Sequence, residues 1–302
     1  MQETEKVLVG LGLIFLSSIG SVLWNLFAKT SCNKQAFLSL SITSSAITML
    51  VANAFGIYLN LISTDLPQGF YFVVLIDAVL LAAAFTFLAI AYKEGEMSVV
   101  FPVWRMFPLF VYLFSLLFLN EIISLISSLG ICLSVFGVYL TAMKRLDFTS
   151  LISPFNSIGN RAFVYAVAAS LCTSSSFILQ KYMIPKVSPF IYNLHLQALG
   201  GFFMFLVSKT VFKIGSDAIK KEWKMNRKNI VGVALIGPVT LILSLYALYL
   251  IPASFAASFS QISIVLGVIL GITLLKEREF IGKKLISSIF ICLGIVMIVA
   301  GS

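Results

Sequence analysis

Residues Ala91 to Glu121 read AYKEGEMSVVFPVWRMFPLFVYLFSLLFLNE, and residues Ala247 to Glu277 read ALYLIPASFAASFSQISIVLGVILGITLLKE. The two stretches align without a gap at an offset of 156 residues, and each ends on Leu-x-Glu. Few aligned letters are identical, so the likeness lies in hydropathy, length and the terminal carboxylate. Repeated halves within an apolar chain are typical of secondary transporters. The pair of stretches therefore predicts two related halves and, as a first hypothesis, movement of a solute across a membrane.

The composition is that of an integral membrane protein, with 60% hydrophobic and 11% charged residues. A lipid-facing backbone must satisfy its own hydrogen bonds, so apolar runs of roughly 17–25 residues are expected to be helices. Ten such runs lie at about 7–29, 36–62, 70–92, 97–119, 122–143, 162–183, 189–212, 230–251, 253–275 and 284–300. We predict an all-α, multi-pass protein of the cell membrane, with two inverted five-helix repeats over residues 1–145 and 146–302.

Enzymatic and metal-binding motifs are missing from the sequence. It contains no HExxH, GxSxG or P-loop pattern, which predicts no enzyme activity and no cofactor. The cysteines lack metal-ligand spacing and are interpreted as small apolar side chains; they are Cys32, Cys132, Cys172 and Cys292. The start, MQETEK, is not a basic signal sequence, so the first apolar run is predicted to be a retained helix.

The net charge of +9 lies between the spans. Most of the 21 Lys and Arg residues flank the loops that follow spans 1, 3, 5, 7 and 9, with a dense group between Lys209 and Lys228. The positive-inside rule then places these loops in the cytoplasm and both termini outside. A surface that binds anionic lipid headgroups would explain the same residues. The predicted partners are a small-molecule substrate and membrane lipids, and not nucleic acid.

Several features together resemble the drug/metabolite transporter superfamily, in particular the EamA family. They are the ten spans in two halves, the WNLFAK that ends span 1 at Lys29, the matching Lys181 in span 6, and the Leu-x-Glu ends of spans 4 and 9. The resemblance implies a carrier for small organic metabolites or drugs. It also implies that Trp24, Asn25 and Gln180 face a cavity between the halves. Family members usually place both termini in the cytoplasm, the reverse of the charge pattern.

Two departures from the family pattern stand out. Asn120 and Lys276 occupy the positions where the family commonly has Gly before the Glu. The loop after span 2, STDLPQG, lacks the family's usual arginines. These departures do not change the fold prediction. Both orientations, with the termini outside or in the cytoplasm, stay as alternatives.

Arg105 is the main candidate for substrate binding. It lies about eight residues into span 4, roughly 12 Å along the helix and so near the midplane. Its counterpart in the second half is the neutral Gln261, and it is flanked by Pro102 and Pro108, which remove backbone hydrogen bonds. A structural role, paired with Asp77 or with carbonyls, is one interpretation. The other is that the planar guanidinium binds a substrate carboxylate or phosphate, with Gln261 beside it.

Asp77 and His195 are the remaining ionisable candidates within spans. Asp77 lies about seven residues into span 3 and is a candidate for proton coupling. Its counterpart in the sequence of the second half is near Val233. A solvated carboxylate at the helix end is the alternative. His195, the sole histidine, is counted among the substrate-binding candidates and could carry a proton, although a packing role is the more common one.

The GxxxG of Gly267 and Gly271 in span 9 predicts close helix packing. For the whole chain we predict alternating-access transport of a small organic metabolite, such as an amino acid, a related solute or a drug. A multi-pass receptor or scaffold without transport, and a divalent-cation pathway, remain as alternatives. The single deep carboxylate and the central Arg105 argue against the cation pathway.

Overall fold

The structure is a computed structural model that describes residues 3–30, 66–94, 100, 103–142, 161–273 and 281–301. All regular secondary structure within these residues is helical. In chain order the helices are α1 Glu3–Thr30, α2 Phe70–Glu94, α3 Phe107–Phe118, α4 Leu125–Ala142, α5 Arg161–Met183, α6 Pro189–Thr210, α7 Ser216–Leu250, α8 Ala253–Phe259, α9 Ile262–Thr273 and α10 Ile281–Ala300. The predicted span 2, at 36–62, lies outside the described residues.

The described helices agree with a multi-pass membrane protein. Seven segments are long and apolar enough to cross a membrane, one of which combines α8 and α9 as Ala253–Thr273. Phe107–Phe118 and Leu125–Thr141 are shorter apolar helices, and they fall in the predicted spans 4 and 5. The all-helical, multi-pass architecture is thus confirmed for this part of the chain, and the count of ten spans stays a prediction.

The main helix pairs follow the predicted repeat. When each helix is replaced by its counterpart in the other half, one pair becomes another. α1 lies along α7, α2 lies along α5, and α4 lies along α10. In the predicted repeat α1 corresponds to α5 and α7 to α2, so the first two pairs are equivalent. The third pair joins the last helix of one half to the last helix of the other. The contacts of α3 with α5 and of α1 with α9 follow the same exchange.

Backbones approach closely where α4 crosses α10. A Cβ atom added at Gly130 would lie 2.6 Å from the carbonyl oxygen of Gly294, and one at Gly137 would lie 2.9 Å from the carbonyl oxygen of Ser287. Small residues permit such close packing of membrane helices. At Gly267 in span 9 a Cβ atom would meet nothing within 4 Å in the described part of the chain, whereas Gly271 is buried. Close packing through this GxxxG pair stays a prediction.

The loop between α3 and α4 requires a left-handed residue. Asn120 has φ 53°, a conformation that Gly and Asn adopt most readily. Asn120 therefore serves in place of the Gly that the family resemblance leads one to expect. The turn directs the chain to Glu121, whose amide donates to the carbonyl of Ser115 at 3.2 Å.

The apolar side chains divide between a core and an outer surface. Buried residues such as Val74, Ile178 and Leu248 form the main core, where α2, α5 and α7 meet. Large apolar side chains outside it remain exposed, for example Phe72 and Leu117. An apolar exterior around a core that holds polar residues is expected for a protein surrounded by lipid.

Candidate functional site

Two of the predicted spans are broken at matching positions. Residues 103–104 are helical, the chain turns at Arg105 and Met106, and α3 begins at Phe107. In the second half α8 ends at Phe259, the chain turns through residues 260–261, and α9 follows. Pro108 near the start of α3 contributes to the first break, because it has no N–H to donate to the preceding turn. Discontinuous helices at the midplane are typical of transporter binding sites.

The two breaks contact each other directly. The Gln261 side chain donates from Nε2 to the carbonyl oxygen of Arg105 at 3.0 Å. These two residues are counterparts in the sequence repeat, 156 positions apart. Ser174 of α5 adds a third element, because its hydroxyl donates to the carbonyl oxygen of Phe107 at 3.0 Å. At the break, side chains thus donate hydrogen bonds to backbone carbonyls. In a continuous helix, backbone amides would fill this role.

The Arg105 side chain lies beside aromatic groups. Its guanidinium carbon is 4.7 Å from the centre of the Trp104 ring, within the range of a cation–π interaction. Tyr92 of α2 is a second aromatic residue in its neighbourhood. The pairing of Arg105 with Asp77, one of the two interpretations above, is not what the structure shows, since Asp77 takes its hydrogen bonds from other helices.

Buried polar atoms without a hydrogen-bond partner cluster in α8 and at its end. Ser254 Oγ, Ser258 Oγ and Gln261 Oε1 lie there, and all three residues are fully buried. In the part of the chain that the structure describes, other such atoms lie in other helices: Ser18 Oγ, Ser170 Oγ and Asn193 Oδ1. Ser254 and Ser258 are four residues apart and so lie on one side of α8, and Gln261 follows in the turn at its end. A buried polar atom without a partner costs about 1–3 kcal/mol. Native proteins rarely retain such atoms without a reason, and a bound solute is one.

A second polar cluster surrounds Asp77. The Tyr192 hydroxyl of α6 donates to Asp77 Oδ2 at 2.7 Å, and Gln180 Nε2 of α5 donates to the same oxygen at 3.2 Å. The Ser176 hydroxyl, also on α5, donates to Oδ1 and accepts from Gln180 Nε2 at 2.9 Å. Asp77 and Tyr192 are both 0% exposed. We call these four residues the Asp77 network.

The network changes two expectations. Asp77 is buried, so the alternative of a solvated carboxylate at the helix end was wrong. Gln180, which the resemblance placed in the cavity, uses its amide group within the network and is 4% exposed. An ionised carboxylate only accepts hydrogen bonds, and here three donors reach it. The three donors therefore offset part of the cost of burying the carboxylate.

The remaining candidates lie elsewhere. The His195 ring is 5.1 Å from the Phe70 ring and 5.8 Å from the Tyr71 ring, and Nδ1 is 2.9 Å from the Ile191 carbonyl oxygen, which is a packing environment. Trp24 is partly buried in α1 and lies beside Gly237 of α7. The Asn25 side chain is outside the described part of the structure.

An ionic contact joins the two halves near the ends of α3 and α5. Lys181 Nζ donates to the carbonyl oxygens of Leu248 and Ile251, both at 2.7 Å, and lies 3.9 Å from Glu121. The Glu121 carboxylate accepts from the Ala253 amide at 2.9 Å, so it caps α8. Burial raises the pKa of Glu121, and Lys181 and the Ala253 amide partly offset this effect. The capped helix belongs to the other half of the chain.

Sequence reasoning missed Ser176, Tyr192, Ser254 and Ser258. The serines carried one usable signal, since Ser254 and Ser258 are spaced four residues apart in an otherwise apolar helix and share a face. Tyr192 carried none, because an aromatic residue near a span end is usually an interfacial anchor.

Comparisons with known proteins agree on the family and the fold. The sequence model of the EamA-like transporter family matches residues 8–143 and again residues 160–300. A solved structure, described only as a crystal structure of a protein, superposes with a TM-score of 0.69 at 18% identity, covering 97% of this chain and 96% of that one. No curated protein matches the sequence. Because the family model matches both halves, the chain belongs to the EamA-like transporter family, within the drug/metabolite transporter superfamily.

Proposed function

We propose that this chain is a carrier that moves a small organic solute by alternating access between inverted halves, residues 1–145 and 146–302. The solute binds where the two broken spans meet. The observation that carries this proposal is the contact between the repeat counterparts Arg105 and Gln261, beside buried polar atoms that lack partners. Matching breaks near the midplane are the arrangement from which secondary transporters build their binding sites.

The chemistry of the site favours an amino acid or a related solute. Arg105 offers a planar fork of donors suited to a carboxylate or a phosphate. Gln261 Oε1 offers an acceptor that an ammonium or amide group of the solute would satisfy. The hydroxyls of Ser254 and Ser258 supply further donors or acceptors. An anionic group and a donor group on one small molecule would use all four residues.

The Asp77 network is proposed as the proton-coupling site of the same carrier. It links α2 of the first half to α5 and α6 of the second. Among the residues that the structure describes, Tyr192 is the other titratable group in contact with the carboxylate. Lys181 of α5 is bound to the carbonyls of α7 and its end instead. Protonation of Asp77 would turn an acceptor into a donor in a group of donors. This change would weaken the hold of α2 on α5 and α6 and favour a different packing of the halves.

The alternatives make different predictions. A divalent-cation pathway is disfavoured by the positive charge of Arg105 at the break. A receptor or scaffold would bind a solute without moving it. Transport into sealed proteoliposomes separates a carrier from both.

The first experiment measures uptake of radiolabelled amino acids, sugars and drugs by proteoliposomes that contain the purified protein. Arg105→Lys keeps the charge but loses the fork, so it should weaken transport of an anionic solute, and Arg105→Gln should weaken it further, by roughly 10-fold or more. Lys186→Gln, an exposed cation in the loop between α5 and α6, is the control and should transport normally. A folded Arg105→Gln protein that transports a carboxylate-bearing solute at the wild-type rate would exclude this role for Arg105.

The second experiment tests the coupling site. Wild-type vesicles should accumulate the solute when a pH gradient is imposed, while Asp77→Asn vesicles should exchange labelled for unlabelled solute but lose accumulation. Exchange without accumulation is the signature of a carrier that has lost its coupling ion. If Asp77→Asn still accumulates solute against its gradient, Asp77 has no part in coupling.

A further inference from the structure

α7 is too long to lie wholly within a membrane. Its 35 residues extend about 52 Å, whereas the hydrocarbon layer is about 30 Å thick. The helix bends at Asn226, which has the non-helical angles φ −123° and ψ 25°. The apolar span of this helix ends at Leu250, so the excess length lies at the other end. The first turns of α7, residues 216–228, therefore lie at or beyond the membrane surface.

These turns carry a concentrated positive charge, which we call the basic segment. Its cations are Lys220, Lys221, Lys224, Arg227 and Lys228, and all of them are exposed. Asp217 and Glu222 are the acidic residues in the same stretch. Lys220, Lys224 and Arg227 follow each other at spacings of four and three residues and so lie on one face of the helix.

A surface hollow lies on the same segment. It is lined by Ile219, Lys220, Trp223 and Lys224. Two ammonium groups thus adjoin an aromatic ring and an aliphatic side chain. An anionic phospholipid has the complementary groups, a negatively charged phosphate beside a glycerol and acyl region. Tryptophan and lysine are also the residues that anchor proteins at the membrane interface.

We infer that the basic segment binds the headgroup of an anionic phospholipid. The phosphate lies between Lys220 and Lys224, and Trp223 and Ile219 contact the glycerol and upper acyl chain. A membrane lipid is favoured over other anions because α7 continues from this segment directly into the bilayer, which keeps headgroups within reach of the hollow. The five cations complement the charge of a leaflet rich in such lipids.

The test uses the full-length protein in vesicles of phosphatidylcholine mixed with phosphatidylglycerol, with bromine placed on one lipid or the other at equal content. Bromine quenches tryptophan fluorescence on contact, and the signal that Trp223→Phe removes belongs to Trp223. Brominated phosphatidylglycerol should quench this signal more strongly than brominated phosphatidylcholine. In Lys220→Gln/Lys224→Gln protein the preference should fall, by roughly fivefold for each lysine.

A matched control removes two exposed charges elsewhere, one in α1 and one in the loop between α5 and α6. Lys6→Gln/Lys186→Gln should keep the wild-type preference. Raising the ionic strength should lower the preference of the wild-type protein, which tests the same charges without a substitution. Three results would each overturn the inference. They are equal quenching by the two lipids, a preference that survives both the lysine substitutions and high salt, and absence of quenching by either lipid.

Discussion

The Asp77 network and the contact between the helix breaks are both buried and polar, but they differ in how completely their hydrogen bonds are made. The Asp77 carboxylate accepts from three side chains on two other helices. At the breaks, Ser254, Ser258 and Gln261 each retain a buried polar atom without a partner in the described part of the chain. A complete network stabilises one arrangement of helices. An incomplete one leaves groups that a solute would satisfy.

The two regions also differ in their relation to the repeat. The breaks occur in both halves and bring the counterparts Arg105 and Gln261 together. Asp77 has the apolar Val233 as its counterpart, so the carboxylate of this network has no equivalent in the second half. A symmetric site between the halves suits a solute that is released on either side. An asymmetric carboxylate suits a separate task, such as coupling to an ion.

The largest expected effect comes from removing the Asp77 carboxylate. Asp77→Leu leaves the hydroxyls of Ser176 and Tyr192 without their acceptor, while the Gln180 amide keeps only the Ser176 oxygen. The variant should lower the free energy of unfolding by about 3 kcal/mol. Thermal unfolding in detergent, followed by loss of monodisperse protein, measures the change. The matched control is Asp217→Leu at an exposed position, which should cost much less. Equal losses for the two variants would contradict a stabilising role for the network.

The helix breaks should respond in the opposite way. Ser254→Ala/Ser258→Ala removes hydroxyls that have no partner, so stability should be unchanged or slightly higher, whereas solute uptake should fall by roughly tenfold, the equivalent of about 1.4 kcal/mol. Uptake and thermal unfolding are measured on the same preparation.

The control for these serines is Ser134→Ala. Ser134 is equally buried, but its hydroxyl donates to the Ile131 carbonyl at 2.8 Å, and it lies in α4. It should leave uptake unchanged. A double serine variant that loses stability but not uptake would show that the unpartnered atoms have no role in binding.

The smallest expected effect comes from removing one hydrogen-bond donor of the Asp77 network. Tyr192→Phe keeps the ring against Phe70 and removes one donor to Asp77, so it should lower the free energy of unfolding by about 1 kcal/mol. The loss should shrink when the same change is made in Asp77→Asn protein, because the two residues share the bond. Additive losses would mean that the hydroxyl contributes through some other contact.

Hydropathy and repeat length were enough to predict a helical, multi-pass chain and the correspondence between Arg105 and Gln261 in the repeat. These properties are local, because lipid requires each span to satisfy its own backbone, and a repeat is visible in the order of residues alone. The family came from the resemblance of a few motifs. The prediction that Arg105 lies near the middle of a span rests on counting residues along one helix.

The partners of Asp77 depended on how the halves dock. Ser176, Gln180 and Tyr192 lie 99 to 115 residues away along the chain, and nothing near Asp77 in the sequence points to them. The same is true of Glu121, which caps a helix 132 residues later. Periodicity shows which side chains share a helix face, but the helix that this face meets is decided by packing between distant segments. For that reason the spans were predictable from the amino-acid order, whereas the polar contacts between them required the tertiary structure.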